Sequence, residues 1–213
     1  MSGAVDLLPR TEPSHPGDDL RLIGRSGNVT AWGFASVEAP MLFETRRFAD
    51  PRGVFSETYS RRDFAALGLV EEFVQDNWSL SERIGTVRGL HFQRRPHAQG
   101  KLVRVLRGRI LDVAVDIRSS SPTFGKHVAV ELAAGDGRML WVPVGFAHGF
   151  CTLEPNTEVA YKVTADYAPE SDAGIAWDDP ALGIGWPVAP EDALVSRKDA
   201  LLPPLGDLPA VFP

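Results

Sequence analysis

Cysteine is nearly absent from this chain: among 213 residues there is one, Cys151. A single thiol excludes an intramolecular disulfide framework and a multi-thiolate zinc site, so nothing calls for an oxidising compartment and a cytoplasmic location is expected. The chain also lacks an excess of positive charge. With 22 Lys and Arg against 28 Asp and Glu, the formal charge is -6, whereas nucleic-acid binding through counterion release needs a dense basic surface. No nucleic-acid partner is expected, although a local basic pocket for a phosphate fits these numbers. Long hydrophobic runs are missing too. Charges interrupt every apolar stretch well before the roughly 20 residues that a membrane-spanning helix needs, so no membrane partner is expected. No internal repeat or low-complexity segment is visible.

What is present is ordinary globular usage, 44% hydrophobic and 23% charged, enough to bury one sizeable core. Residues 1–28 mix charge, Pro and Gly without an apolar run of signal-peptide length and read as a mobile leader. Residues 29–205 read as the folded domain, and 206–213 as a C-terminal tail.

Within that domain, short runs rich in Val, Ile, Leu and aromatics alternate with turn residues. VRGLHF, KLVRVLRGRILDVAVDI, HVAVELA, RMLWVPV and EVAYKVT are the clearest strands, and Gly135-Asp-Gly137 and Glu154-Pro-Asn156 supply turns, as in an antiparallel sandwich or barrel. An all-β core follows, with a few short helices. RRDFAALGL at 61–69 reads as a helix that Ser60 caps and Gly68 ends, and a short turn is expected near 196–201. The Pro-rich end wraps over the core as irregular chain, because proline cannot donate to a sheet ladder. In LVRVLRGRILDVAVDI the alternation sets Arg104 and Arg107 beside buried positions, facing solvent or a lined cavity.

Two segments carry candidate chemistry. Thr86-Val-Arg-Gly-Leu-His-Phe-Gln93 holds Arg88 and His91 three residues apart, with His91 and Gln93 on one face of a strand. Taken alone, such a histidine is a general base, a metal ligand or a hydrogen-bonded core residue, the last being the commonest. Trp141-Val-Pro-Val-Gly-Phe-Ala-His-Gly-Phe150 brings a second histidine, His148, onto a strand after a tight turn. This pair of segments resembles the paired motifs of cupin barrels, many of which bind a metal through them. Here Gln93 replaces the second histidine of the first motif, and Gln99, Gly100 and Lys101 stand where a carboxylate would. An ammonium repels a divalent ion and offers no lone pair while protonated, so no metal is expected.

Proton abstraction beside a ketone needs a base near the C–H, a cation or donor at the developing enolate oxygen, and an acid on the opposite face. His91 fits the base, Lys101 the oxyanion partner, and Tyr161 the acid, although a buried tyrosine with a satisfied hydroxyl is the more ordinary reading of the last. Asp199 is either one exposed charge among many or the carboxylate that orients His91. Arg52, in a turn-forming Asp-Pro-Arg-Gly, and Arg88 are placed to fork onto phosphate oxygens. Glu57, Gln75 and Asn77 offer hydrogen bonds to hydroxyls or a base.

Together these segments resemble the dTDP-4-dehydrorhamnose 3,5-epimerase family. The likeness runs from about Phe48 to Pro204 through FADPRGVFSETY, FVQDNWS, RGLHFQ, QGKLVRVLRGRILDVAVDIR, SPTFGK, LWVPVGFAHGF, EVAYKVT, GIAWDDPALGIGWP and SRKDA. The resemblance implies a cupin-like jelly-roll β-barrel acting without cofactor on a dTDP-linked 4-keto-6-deoxysugar. It implies epimerisation at C3 and C5, with His91 as base paired with Asp199, Tyr161 as acid and Lys101 on the C4 oxygen. It also implies Arg52 and Arg88 at the diphosphate, Glu57, Gln75 and Asn77 around the thymidine, His148 near the sugar, and Phe48 and Trp177 as apolar walls. A homodimer with exchanged N-terminal strands is implied, so residues 29–60 would contact a partner subunit. Two departures fall where the nucleotide is expected: Asp166 replaces the first residue of a Tyr-Tyr pair ahead of Tyr167, and Asp172 replaces a glutamate. Alternatives are an epimerase of one centre only, a metal-dependent cupin enzyme, and a non-catalytic sugar-nucleotide binding barrel.

Overall fold

The computed structural model describes residues 20–213. Strands β1 (Leu20–Ser26), β2 (Val29–Phe34) and β3 (Met41–Thr45) are followed by a two-stranded ribbon, β4 (Arg47–Asp50) with β5 (Gly53–Ser56), and by helix α1 (Arg61–Ala66). Then come β6 (Gln75–Ser81), β7 (Thr86–Gln93), β8 (Lys101–Arg107), β9 (Arg109–Asp116), β10 (His127–Ala133) and β11 (Arg138–Val142). Strands β12 (Phe146–Thr152), β13 (Thr157–Val163), β14 (Asp172–Gly174) and β15 (Leu194–Val195) complete the series. They build two sheets, ordered β1-β2-β3-β11-β8-β13-β6 and β10-β9-β12-β7-β14, antiparallel throughout except for β15, which pairs parallel with β7.

The long run KLVRVLRGRILDVAVDI is therefore two strands in different sheets, β8 and β9. Gly108 makes the corner at φ +77°, and a Cβ there would stand 2.3 Å from Thr157 Oγ1, so only glycine turns the chain there. Alternation along each strand sends one set of side chains between the sheets. Val103, Val105, Ile110, Leu140, Phe150 and Val159 share that interior cluster. Burying an aliphatic side chain of this kind contributes about 1.5–3 kcal/mol, which locks the register and hence which neighbouring residues face inward.

Both outer faces are covered. Phe64, Leu67 and Leu69 of the α1 region lie on Val29, Phe43 and Trp141 of the first sheet. Ile175, Leu182, Leu205 and Phe212 of the C-terminal chain lie on Leu90 and Val113 of the second. This wrapping carries the C-terminal segment back across β7.

The five expected strand segments and the 3-10 turn over Asp199–Leu201 are present, whereas the helix expected over 61–69 ends at Ala66 and the Ser60 side chain makes no cap hydrogen bond to it. Gly68, at φ +102°, follows the helix. Two further boundaries differ. The sheet starts at Leu20, inside the expected leader of 1–28, because LRLIGRS pairs with VTAWGF across the turn at Gly27; the rest of that leader lies outside the described residues. The expected tail is anchored, since Phe212 is buried in the outer cluster and bridges to Arg118.

Candidate active site

The site grows out of an irregularity in β7. Regular alternation would place Arg88 and His91 on opposite faces. In the pairing with β12, His148 faces His91 and Phe150 faces Arg88, so β7 spends three steps where β12 spends two. This is a β-bulge. Because Phe150 belongs to the interior cluster, the residue opposite it shares its face, and both Arg88 and His91 turn toward the space between the sheets. Gly89 permits the bulge: it sits at φ +135°, and a Cβ would meet Gly149 Cα at 2.5 Å.

His91 Nε2 lies 2.8 Å from Asp199 Oδ1. The other carboxylate oxygen accepts the Gly89 N–H at 3.2 Å, and Ser196 Oγ accepts the Asp199 N–H at 3.1 Å. Burial pushes Asp199 toward the protonated form, but the bond to His91, its charge and the Gly89 amide outweigh that and hold its pKa below the usual carboxylate value. An ionised acceptor at Nε2 selects the tautomer protonated there and leaves the Nδ1 lone pair as the basic site. The His91 side chain keeps 30% of its surface accessible, so a substrate atom can reach it.

Lys101 heads β8 and faces inward with Val103 and Val105. Its Nζ donates to the His91 carbonyl at 3.2 Å, which ties the ammonium to the strand of the base. Burial lowers its pKa to about 8, against the opposing pull of Asp172 and Asp112. His148 is buried, with Nε2 2.7 Å from Asp112 Oδ1. Burial lowers its pKa, as do the charges of Lys101 and His91, while Asp112 works the other way.

Tyr161 comes from the opposite sheet. It pairs with Asn77 across β13 and β6 and packs against the interior cluster. Burial raises its phenol pKa, partly offset by the Arg88 charge, so the hydroxyl keeps its proton at neutral pH. Arg88 donates to Ser81 Oγ at 3.1 Å and to the Leu80 carbonyl at 3.0 Å, spanning from β7 to the end of β6. Gln75 Nε2 donates to Asn77 Oδ1 at 2.7 Å. Asp172 accepts the Tyr167 hydroxyl at 3.0 Å and pairs with Lys198.

His91, Lys101, His148, Tyr161, Arg88, Gln75, Asn77 and Asp172 thus line the space between the two sheets, with Asp199 behind His91, while Arg88 and Gln75 stand at opposite ends of β6. Four expected residues stand apart. Phe48 and Arg52 lie on the β4–β5 ribbon, which pairs with no other strand among the described residues; Arg52 is 89% exposed and forks onto Asp50. Glu57 follows that ribbon, within electrostatic reach of Arg62 on α1. Trp177 is buried with Val87 and Cys151 and stacks edge-on against Trp186.

Sequence reasoning missed Asp112 and Lys198. An acidic residue inside the apolar run LDVAVDI signals a buried partner, and Asp112 is that partner for His148. Lys198 is the neighbour of Asp199 and was visible only as one charge in SRKDA. Among the described residues no group of three or more His, Cys, Asp and Glu could hold a metal ion. Gln93, at a cupin ligand position, spends its amide on the carbonyls of His97 and Asp166 and on the Ala168 N–H. Nor, among those residues, is any helix long and apolar enough to cross a membrane.

The chain is similar to known proteins over most of its length. Residues 35–207 match the family model described as dTDP-4-dehydrorhamnose 3,5-epimerase. The chain is 53% identical over 181 residues to the dTDP-4-dehydrorhamnose 3,5-epimerase of Sinorhizobium fredii, covering 83% of this chain and 90% of that one. A crystal structure of the Bacillus anthracis dTDP-4-dehydrorhamnose 3,5-epimerase with TDP and PPi bound aligns with TM-score 0.75 and 48% identity, over 78% of this chain and 93% of that one. The Legionella pneumophila dTDP-6-deoxy-D-glucose-3,5-epimerase, in complex with dTDP-4-keto-L-rhamnose, aligns with TM-score 0.78 and 40% identity, over 90% and 96%.

Proposed function

Because the chain belongs to the dTDP-4-dehydrorhamnose 3,5-epimerase family, we propose that it epimerises dTDP-4-dehydro-6-deoxy-D-glucose at C3 and C5, giving dTDP-4-dehydro-L-rhamnose. The carrying observation is the placement of a histidine, paired with the carboxylate of Asp199, on one sheet and a protonated phenol on the other, with a buried ammonium beside them.

In this reading the C4 ketone acidifies the hydrogens on C3 and C5. His91 Nδ1 takes a proton from carbon while Asp199 stabilises the imidazolium through Nε2. Lys101 donates to the C4 oxygen as enolate charge develops, its ammonium strengthened by burial. Tyr161 delivers a proton to the opposite face, so the centre inverts. Proton transfer of this kind calls on no redox or group-carrying cofactor. Arg88 is the diphosphate residue, Gln75, Asn77 and Asp172 face the nucleotide, and His148, held neutral, lines the sugar.

The partner that completes the site is a second copy of the chain. Phe55 is 70% exposed and Val54 57% exposed on a ribbon that also carries Phe48 and Arg52. Apolar side chains in that position favour burial against another subunit, which would bring Arg52 and Phe48 to the neighbour's site. Light scattering is expected to give a dimer mass, and a monomer mass would contradict this arrangement. A cytoplasmic location accords with a nucleotide-sugar substrate.

The activity is tested by incubating the purified protein with the 4-keto sugar nucleotide and identifying the product by NMR. An L-configured hexose unit is expected; recovery of unchanged D-sugar rejects the reading.

A further inference from the structure

The residue that occupies a cupin ligand position without serving the proton chemistry is Gln93. It is buried, 3% exposed, yet its amide reaches neither His91 nor Lys101 in any hydrogen bond. Instead Nε2 donates to the His97 carbonyl at 2.6 Å and the Asp166 carbonyl at 3.1 Å, and Oε1 accepts the Ala168 N–H at 2.8 Å. Both amide hydrogens and one acceptor site are thereby used.

The chain it grips runs between β13, in the first sheet, and β14, in the second. Residues 164–171 belong to no strand; backbone bonds to neighbouring chain hold the two ends, Thr164 N–H to the Gly100 carbonyl and Arg94 N–H to the Ser171 carbonyl, and leave 165–168 between them. Side-chain amides take over that task. Gln99 Nε2 donates to the Ala165 carbonyl at 2.6 Å, and Gln75 Oε1 accepts the Tyr167 N–H at 3.0 Å. Three glutamines thus hold four consecutive residues, 165–168, and Gln93 alone bonds two of them. A buried backbone group left without such a partner is costly.

The loop matters because of what hangs from it. The Tyr167 hydroxyl donates to Asp172, which pairs with Lys198. Asp172 is the register partner of Gln93, and Gly174, two residues on, is the partner of His91. Lys198 is the residue before Asp199. The Tyr167–Asp172–Lys198 chain therefore stands directly beside the His91–Asp199 pair.

We propose that Gln93 is a positioning residue for the nucleotide end of the substrate, setting the 165–168 loop and, through Tyr167, the Asp172–Lys198 pair. The proposal rests on the epimerase reading for the identity of the ligand. It separates two jobs within RGLHFQ: His91 moves the proton, and Gln93 shapes the wall that the nucleotide leans on. It also assigns a reason for amide rather than carboxylate at this position, since a glutamate would turn lone pairs toward two carbonyl oxygens.

The test compares Gln93→Met, which keeps side-chain length without hydrogen bonds, and Gln93→Glu with the unaltered protein. Steady-state kinetics with the 4-keto sugar nucleotide, calorimetric binding of dTDP, and amide hydrogen exchange of 165–168 are measured. Gln93→Met is expected to raise KM and weaken dTDP about tenfold while kcat stays within about twofold, the signature of lost uniform binding. Exchange at Tyr167 and Ala168 accelerates. A fall in kcat with KM unmoved, or an unchanged KM with the loop still protected, overturns the proposal. If Gln93→Met does not fold, Gln99→Met loosens the same loop through Ala165 and carries the same readouts and the same contradiction. Failure of the unaltered protein to turn over would reject the epimerase reading, whereas dTDP binding and loop exchange would still decide Gln93.

Discussion

The carboxylate of Asp199 holds His91 and the backbone of β7 at once: Oδ1 lies 2.8 Å from His91 Nε2 and Oδ2 accepts the amide proton of Gly89 two residues earlier. One group thereby sets the tautomer of the base and anchors the bulge that aims it. Asp199→Asn offers an amide that can donate to Nε2 and so reverses the tautomer. The expected loss in kcat is about 10²- to 10⁴-fold, the usual worth of a general base, with circular dichroism unchanged. Retention of near-normal kcat would show that His91 does not need this partner.

Tyr161 stands on the sheet opposite His91, and its pKa is raised by burial. Tyr161→Phe removes the acid and leaves the base. Inverted product should fall by about 10²-fold or more, while solvent deuterium still enters the recovered substrate through the His91 face. Loss of exchange together with inversion would move Tyr161 into the abstraction step itself.

Lys101 titrates near 8 because burial disfavours its charge more than Asp172 and Asp112 restore it. Its protonated form, present below that pH, is the one that stabilises an enolate. Activity should therefore decline as pH rises through about 8, since the ammonium is then lost. Lys101→Arg, whose guanidinium stays charged, should abolish that decline while lowering kcat through altered geometry. An alkaline limb unmoved in Lys101→Arg would assign it to another group.

Much of this was legible beforehand for identifiable reasons. The strands announced themselves because alternating apolar residues sit between Gly and Asn turns. The facing of Arg88 was not legible. A bulge shifts parity by one residue, and nothing in Arg-Gly-Leu-His separates it from a regular strand except a glycine. The first strand was hidden because Leu20–Ser26 carries a charge at Arg21 and Arg25 and is largely exposed, which reads as loop. Arg52 was legible as a phosphate candidate from its guanidinium, and Phe48 only through resemblance; within one chain Arg52 forks onto Asp50 instead.

Gly89 offers a stability test of the bulge. A methyl group there meets Gly149 Cα at 2.5 Å and the His148 carbonyl oxygen at 2.9 Å, on a backbone at φ +135°. Gly89→Ala should cost about 1–3 kcal/mol in backbone strain, before any displacement of β12. For a domain of this size that lowers Tm by roughly 2–4 °C per kcal/mol. Kinetics should worsen as well, because Arg88 and His91 no longer share a face. A variant with unchanged Tm would mean that the bulge does not require glycine.

The most direct test of His91 as the base is proton NMR of the 4-keto sugar nucleotide incubated in deuterium oxide with the unaltered protein and with His91→Asn. Deuterium is expected at both C3 and C5 with the unaltered protein and at neither with the variant. Incorporation at both positions by His91→Asn, or at neither by the unaltered protein, would contradict it.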